Sequence, residues 1–471
     1  MSEKVVIIGN GPAGMSAAAA ARISNRKAKI TVVDQKDYET YHPCALPMVI
    51  GGYLPTVDSV VEELNFDMMK IDLHTSSIVD SIDTKKKEVS FHKKKEEDNK
   101  QTIPYDKLIV CTGSNVFVPP IPGRDLKNVF TLKYAEDAKA IKDATTIEDE
   151  DHVQRVIVVG GSAIGIEVAT ELARREKDVT IIEMIDQLLP GKVSKKYAEL
   201  VKKALIKSGV NVRTGMMVKE IMGDKKVKRI SFGDEHYEET IDADVVVLAT
   251  GIRANTKLAQ ESGIEVDEKF KGIIVNEKME TNIHDVYSAG DCVTTINPIT
   301  NEKCAAWLAG PAVRQGRVAG INAAGGEASY PGAINSFIVP FANYVVGSVG
   351  LNKEQAKEAG FEDITTGKVK APTQPHYIPH SKEITFSIVA KTEDGTILGG
   401  EIFGEEKVDV NVNYLAIAIQ KGMTVYDLMD VDFCYAPAVS ETIYPIVKAA
   451  DSVIRKIERK KERARRKKAK K

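Results

Sequence analysis

Cysteine is scarce and scattered in this 471-residue chain. Its five cysteines (Cys44, Cys111, Cys292, Cys304 and Cys434) form no CxxC pair and no zinc-like spacing. That excludes a disulfide-stapled extracellular framework and makes a reduced cytoplasm the expected location. Long apolar runs are also missing, since none approaches the ~20 residues that a bilayer-spanning helix needs. The N-terminus reads MSEKVVIIG, without the charged segment, apolar stretch and cleavage site of a secretory signal, so secretion is not expected. Neither glycine nor proline is over-used, with 34 and 18 residues, and 43% of the chain is hydrophobic. Collagen-like, mucin-like and wholly disordered readings are thereby ruled out.

Charge is balanced overall but not along the chain. The formal net charge is −2, yet twelve lysines and arginines stand against two glutamates between Arg455 and Lys471. The remaining body is therefore acidic. A nucleic-acid-binding fold carries its basic face on the folded domain, so no nucleic-acid site is expected, and the tail reads as solvated.

What is present is a pair of glycine-rich strand-to-helix turns. In VVIIGNGPAGMSAAAAA, an apolar strand from Val5 to Ile8 runs into Gly9, Gly11 and Gly14, then an alanine-rich helix, then a second strand from Ala28 to Val33 that ends at Asp34. Gly9 permits the tight turn, Gly11 lets a pyrophosphate approach the backbone, Gly14 allows close helix–strand packing, and Asp34 can accept from a ribose 2′-hydroxyl. In RVIVVGGSAIGIEVATELARREKDVTIIEM, Gly160, Ser162 and Gly165 take the three positions, with Gly161 between them, and Glu183 ends the next strand. The Glu183 carboxylate would accept from a free 2′-hydroxyl and repel a 2′-phosphate, and Met184 and Ile185 supply no cation. NADH is thus favoured over NADPH.

Two dinucleotide units in one chain suggest a flavoprotein reduced by a nicotinamide nucleotide. Apolar strands also run into Thr-Gly in YDKLIVCTGS and ADVVVLATGIRAN, and DVYSAGDC places Gly290 and Asp291 at another strand end. From about Tyr330 alternating strands and a helix suggest a separate α+β domain. Apolar residues at helical spacing from Ile446 to Ile457 predict a terminal helix running into the basic tail.

With GNGPAG, TGS at 112–114, GGSAIGIE, ATG at 249–251 and SAGD at 288–291, the sequence resembles the FAD-dependent pyridine nucleotide-disulfide oxidoreductases over almost its whole length. The resemblance implies an α/β architecture of two Rossmann-like dinucleotide-binding domains plus a C-terminal α+β dimerisation domain. The FAD domain is split (1–120 and 251–328) by an inserted NAD domain (121–250), and the dimerisation domain (329–450) precedes a basic helical tail (451–471). It further implies that Thr112, Gly113, Gly251, Gly290 and Asp291 help bind FAD, that Glu167 lies near the nicotinamide, and that the protein is a homodimer.

Classical members of that family carry two redox cysteines four residues apart, whereas here TYHPCALPMVIGG holds Cys44 alone. A single cysteine in this setting resembles coenzyme A-disulfide reductases and their relatives, which include NADH oxidases, peroxidases and polysulfide reductases. By the same resemblance Tyr435 in CYAPAVS and Tyr377 in HYIP reach the partner subunit's active site and assist protonation of a leaving thiolate, while Thr40 and Arg22 meet the coenzyme A thiol substrate. Two departures stand out. The first glycine turn has no histidine of the kind that acts on bound peroxide, and Pro43 replaces an amide side chain before the cysteine.

Cys44 lies between Pro43 and Pro47, at the expected N-terminal end of a helix whose dipole favours thiolate. The other four cysteines read as core residues, and His42 as a surface histidine. The expected activity is electron transfer from NADH through FAD and Cys44 to a small disulfide such as coenzyme A disulfide or polysulfide. The alternatives are an NADH oxidase reducing dioxygen and an NADH-oxidising electron-transfer subunit of a larger complex.

Overall fold

The computed structural model describes residues 2–146 and 154–469. Residues 147–153, within the expected NAD segment, and Lys470 and Lys471 of the tail lie outside the described residues. The backbone divides into two units. One holds Met1–Pro119, Thr131–Lys142 and Gly251–Ala333; the other holds Pro120–Phe130, Asp143–Thr250 and Ile334–Lys471. The stretch from Thr131 to Lys142 thus returns to the first unit rather than staying with the inserted segment.

The first unit is built on a five-stranded sheet in the order Val286–Ser288, Lys107–Val110, Lys4–Ile8, Lys29–Val33, Ile71–His74, with every pairing parallel. Val5 to Ile8 are buried on both faces, which is why this strand reads as an unbroken apolar run. The helix Pro12–Ser24 follows it and packs on the helix Ala309–Ala323. Small residues allow this: a Cβ at Gly316 would lie 2.1 Å from the Ala13 carbonyl oxygen, and one at Gly320 would lie 2.2 Å from that of Ala17.

The second unit contains another five-stranded sheet, ordered Val129–Thr131, Val245–Leu248, Arg155–Val159, Asp178–Glu183, Val210–Thr214, and an antiparallel three-stranded meander between Met217 and Asp242. Its C-terminal part is a five-stranded antiparallel sheet with the helices Val408–Gln420 and Pro445–Lys468. The last helix buries Ile446, Ala449, Ala450, Val453 and Ile457, and Gly367 lets it approach the sheet, since a Cβ there would meet the Ala449 carbonyl at 2.6 Å.

The tail does not behave as the purely solvated segment expected of it. Helix continues to Lys468, and two of its lysines are tied to the sheet. Lys456 donates to the Thr366 carbonyl at 2.7 Å, and Lys460 to the Ile364 carbonyl at 3.0 Å. Long aliphatic stems reach back across the sheet edge while their charges stay at the surface. Among the described residues no helix is long and apolar enough to cross a membrane.

Candidate active site

In the first unit the glycines of the first turn divide their tasks. Gly9 has φ +96°, and a Cβ there would lie 2.3 Å from the Cys111 carbonyl oxygen; a Cβ at Gly14 would lie 1.8 Å from the Gly9 carbonyl. These two positions are closed by backbone. At Gly11 a Cβ would meet nothing within 4 Å, so this side of the turn is open where the helix Pro12–Ser24 begins. Open, uncovered backbone at a helix N-terminus suits a pyrophosphate. Asp34 is buried, accepts from the backbone N–H groups of Asn10 and Lys36, and pairs with the Lys36 ammonium at 2.6 Å. A carboxylate has about four acceptor sites, which leaves Oδ1 one direction for a ribose hydroxyl.

The other expected flavin residues gather in the same unit. The Thr112 hydroxyl donates to the Asn255 carbonyl at 2.6 Å, Gly251 accepts from the Phe117 N–H, and the Gly290 N–H donates to Gln315 Oε1 at 2.9 Å. At Gly113 and Gly251 a Cβ would meet nothing within 4 Å. Asp291 accepts from the Ser114 hydroxyl at 2.9 Å, and that hydroxyl in turn accepts from Lys133 Nζ at 2.8 Å. Burial lowers the Lys133 pKa, with Asp291 opposing. Lys133, Ser114 and Gln315 were missed by the sequence reading. Lys133 carries no local motif, and it reaches this position only because Thr131–Lys142 returns to the first unit. The residues present fit FAD: an open phosphate cradle, a ribose acceptor and a buried polar chain ending at Asp291.

Cys44 sits in a 3₁₀ turn, Pro43–Ala45, leading into the helix Leu46–Gly51, and it is exposed. Leu46, Val49 and Ile50 are fully buried and anchor that short helix. Cys111 and Cys292, in the same unit, are buried, and burial pushes both thiols up, away from thiolate. Cys304 is half-buried. His42 lies 3.3 Å from the Glu62 carboxylate at the surface.

Two residues assigned to substrate already have partners within this unit. Arg22 donates to the carbonyls of Met69, Asn25, Arg26, Ala28 and Lys70, so its guanidinium ties a helix end to two loops. Thr40 is buried, with its hydroxyl 3.7 Å from the Met15 sulfur.

In the second unit Gly160 has φ +112°, and a Cβ there would lie 2.4 Å from the Ala249 carbonyl; one at Gly165 would lie 2.1 Å from the Gly160 carbonyl. Ser162 fills the middle position by capping the helix Ala163–Arg174: its Oγ accepts from the Gly165 N–H and donates to the Ala249 carbonyl at 3.1 Å. Glu183 is buried and accepts from the N–H groups of Gly161 and Ile185 at 2.6 and 2.7 Å. Each oxygen keeps a free lone pair for a ribose, and Met184 and Ile185 beside it are exposed. Glu167, on the capped helix, has its carboxyl pushed up to about 7 by burial and by Glu171 one turn on. Tyr377 and Tyr435 are brought together at the surface, 3.5 Å between hydroxyls, and Cys434 lies 3.8 Å from the Tyr444 hydroxyl.

Residues 3–316 match the pyridine nucleotide-disulphide oxidoreductase family, and residues 336–445 match its dimerisation domain. The chain belongs to this family. It is 36% identical over 460 residues to a protein named NADH oxidase from Methanocaldococcus jannaschii, covering 97% of this chain and 100% of that one. It is 32% identical over 450 residues to an NAD(P)H coenzyme A polysulfide/persulfide reductase from Pyrococcus horikoshii, covering 95% and 97% respectively. The structure of an NAD-dependent persulfide reductase from A. fulgidus aligns with a TM-score of 0.90 at 32% identity, over 97% of this chain and 84% of that one. The chain is accordingly an oxidoreductase with the family's α/β fold, and FAD and a pyridine nucleotide are its cofactors.

Proposed function

We propose that this protein uses NADH to reduce a small disulfide or persulfide through a single redox cysteine, Cys44. The observation that carries the reading is the contrast among cysteines in the flavin-binding unit. Cys44 is exposed beside a short anchored helix, while Cys111 and Cys292 are buried with their thiols pushed up. NADH is held by Glu183 and the second glycine turn, in an arrangement that offers a 2′-phosphate only a carboxylate. FAD, when bound, supplies the two-electron relay between nicotinamide and cysteine.

The Cys44 thiolate attacks one sulfur of the substrate, forming a Cys44–S–S–R mixed disulfide as the S–S bond of the substrate breaks. The departing thiolate takes a proton from Tyr435, which Tyr377 supports. Two electrons originating in NADH, with one proton from solvent, then cleave the mixed disulfide, returning Cys44 as thiolate and releasing the second product as thiol. In a homodimer Tyr435 of one copy serves Cys44 of the other. The free cysteines suit a reducing cytoplasm.

The relatives named for polysulfide and persulfide support a sulfur-chain or coenzyme A-linked acceptor. A coenzyme A moiety held by Arg22 and Thr40 would have to displace the partners these side chains already have. A second reading, NADH oxidase acting on dioxygen, is favoured by the Methanocaldococcus relative of that name.

The test is a panel of NADH-dependent assays with polysulfide, coenzyme A disulfide and dioxygen, on wild type and Cys44→Ser. Loss of sulfur reduction in Cys44→Ser, with stoichiometric bleaching of the flavin by NADH retained, is expected. Equal turnover of wild type and variant with every sulfur substrate would refute the single-cysteine mechanism. An isolated protein active only with artificial acceptors would point to an electron-transfer subunit.

A further inference from the structure

The tail that the redox chemistry leaves unused helps to build a basic cleft wholly inside the second unit. The helix Lys195–Lys207, the sheet strands Ile364–Pro372 and Glu383–Lys391, and the C-terminal helix enclose about 750 Å³, within the range of small-molecule sites. Eight of its lining side chains are lysine or arginine and two are glutamate.

Three of those cations are already engaged. Lys195 pairs with Asp186 at 2.8 Å, Lys460 pairs with Asp363 at 3.2 Å, and Lys456 is bonded to a carbonyl. Lys196, Lys353, Lys368, Arg459 and Arg463 form no ion pair among the described residues. Of the two acids, Glu401 is buried, one oxygen accepting from the Ser194 N–H and the other from the Ser194 hydroxyl, and its charge partly offsets that of Lys368. Glu354 lines the cleft from the start of the helix Lys353–Glu358.

The arrangement is built rather than incidental. Lys368 Nζ sits 5.5 Å above the ring of Tyr197, which is 1% exposed and so forms a fixed floor. Burial, and then the neighbouring Lys196, push Lys368 down to about 8. Two ammonium groups held side by side repel, and an anion between them relieves that repulsion. The N-terminus of the helix Lys195–Lys207 opens on the same space and adds its own positive end.

We propose that this cleft binds a small polyanion with adjacent phosphate groups, an inorganic polyphosphate or the phosphate chain of a nucleotide, through Lys196, Lys368, Arg459 and Arg463. Several convergent cations favour a ligand with several charges. The confined volume on an otherwise acidic body favours a small one over a nucleic-acid strand, which would run on across like charge.

The test is calorimetric titration of the FAD-loaded full chain in saturating NAD⁺, which keeps the second glycine turn occupied. The probes are inorganic pyrophosphate, tripolyphosphate, ATP and a 20-base-pair DNA duplex. Saturable binding of tripolyphosphate that weakens with added salt is expected, with affinity reduced about tenfold or more in Lys368→Gln/Arg459→Gln. A control pair on the exposed hairpin, Lys94→Gln/Lys95→Gln, should bind as wild type, and both pairs should keep flavin reduction by NADH. ATP binding no tighter than tripolyphosphate assigns the site to the phosphate chain alone; tighter ATP binding, lost in the same variant, assigns it to a nucleotide. The proposal is overturned if no phosphate probe binds saturably, if the cleft variant binds as wild type, or if the duplex outcompetes tripolyphosphate at this site.

Discussion

The hydroxyls of Tyr377 and Tyr435 lie 3.5 Å apart although 58 residues separate them in sequence. Both side chains are exposed, in the part of the chain that matches the dimerisation domain. The contact with Tyr377 lowers the Tyr435 pKa, helped by Thr442, and raises that of Tyr377. The proposed proton donor is Tyr435, whose pKa these contacts lower. Tyr435→Phe should slow disulfide turnover by about 10²-fold, the ordinary worth of a positioned general acid, and Tyr377→Phe should slow it less. Mixing Cys44→Ser with Tyr435→Phe subunits creates a heterodimer in which one of two composite sites has both groups. Activity well above either homodimer is expected, and no recovery would show that each copy works alone.

Glu167 supplies a pH prediction. Its carboxyl is pushed up to about 7 from 4.5, so the folded protein favours the protonated form. That preference has its full effect below about 4.5 and is lost as pH rises through about 7. Glu167→Gln, fixed in a neutral state, should melt higher than wild type at pH 8 and nearly level with it at pH 5. If Glu167 also lies near the nicotinamide, rapid-mixing measurement of flavin reduction should show an inflection near pH 7 that the variant lacks. Equal melting differences at both pH values would mean the group titrates normally.

The proposed preference for NADH rests on Glu183, whose oxygens hold the Gly161 and Ile185 N–H groups and face no cation from Met184 or Ile185. Glu183→Ala with Met184→Arg removes a repulsive charge and adds an attractive one. The ratio of kcat/KM for NADPH over NADH should rise about tenfold or more, at some expense in stability because a buried and a part-buried N–H lose their acceptor. An unchanged ratio would place the 2′-position elsewhere.

The parts of this fold legible in sequence are those where one residue type is forced. Strands buried on both faces must be continuously apolar, and glycines whose Cβ would enter a carbonyl cannot be replaced, so both dinucleotide units stood out. Cys44 stood out as well, because it falls between two prolines, whereas Cys434, read as a core residue, is exposed too. What could not be read was contact made at long range. Arg22 looked like a free cation, yet five carbonyls from two segments take its donors. Lys133 looked like an ordinary charged residue until the chain doubled back to bury it beside Ser114. The basic tail had no apolar face after Ile457, yet the Lys456 and Lys460 ammonium groups tie its first turns to sheet carbonyls.

The first glycine turn allows folding to be separated from cofactor binding. Gly11 has φ −84°, an ordinary value for any residue, and a Cβ there meets nothing within 4 Å. Gly11→Ala should therefore fold normally, and its methyl group should stand in the space a pyrophosphate needs, so purified protein should carry less FAD and lose it faster on dilution. Gly14→Ala differs because its Cβ would lie 1.8 Å from the Gly9 carbonyl oxygen. Relief requires the helix Pro12–Ser24 to move off its strand, which should cost about 1–3 kcal/mol before any ligand is considered. Denaturant melts of the two apoproteins, with FAD content measured by absorbance in the holoproteins, distinguish the cases. An alanine at Gly11 that destabilises the apoprotein as much as one at Gly14, or that leaves FAD retention unchanged, would show that the open side of the turn is not the cofactor's.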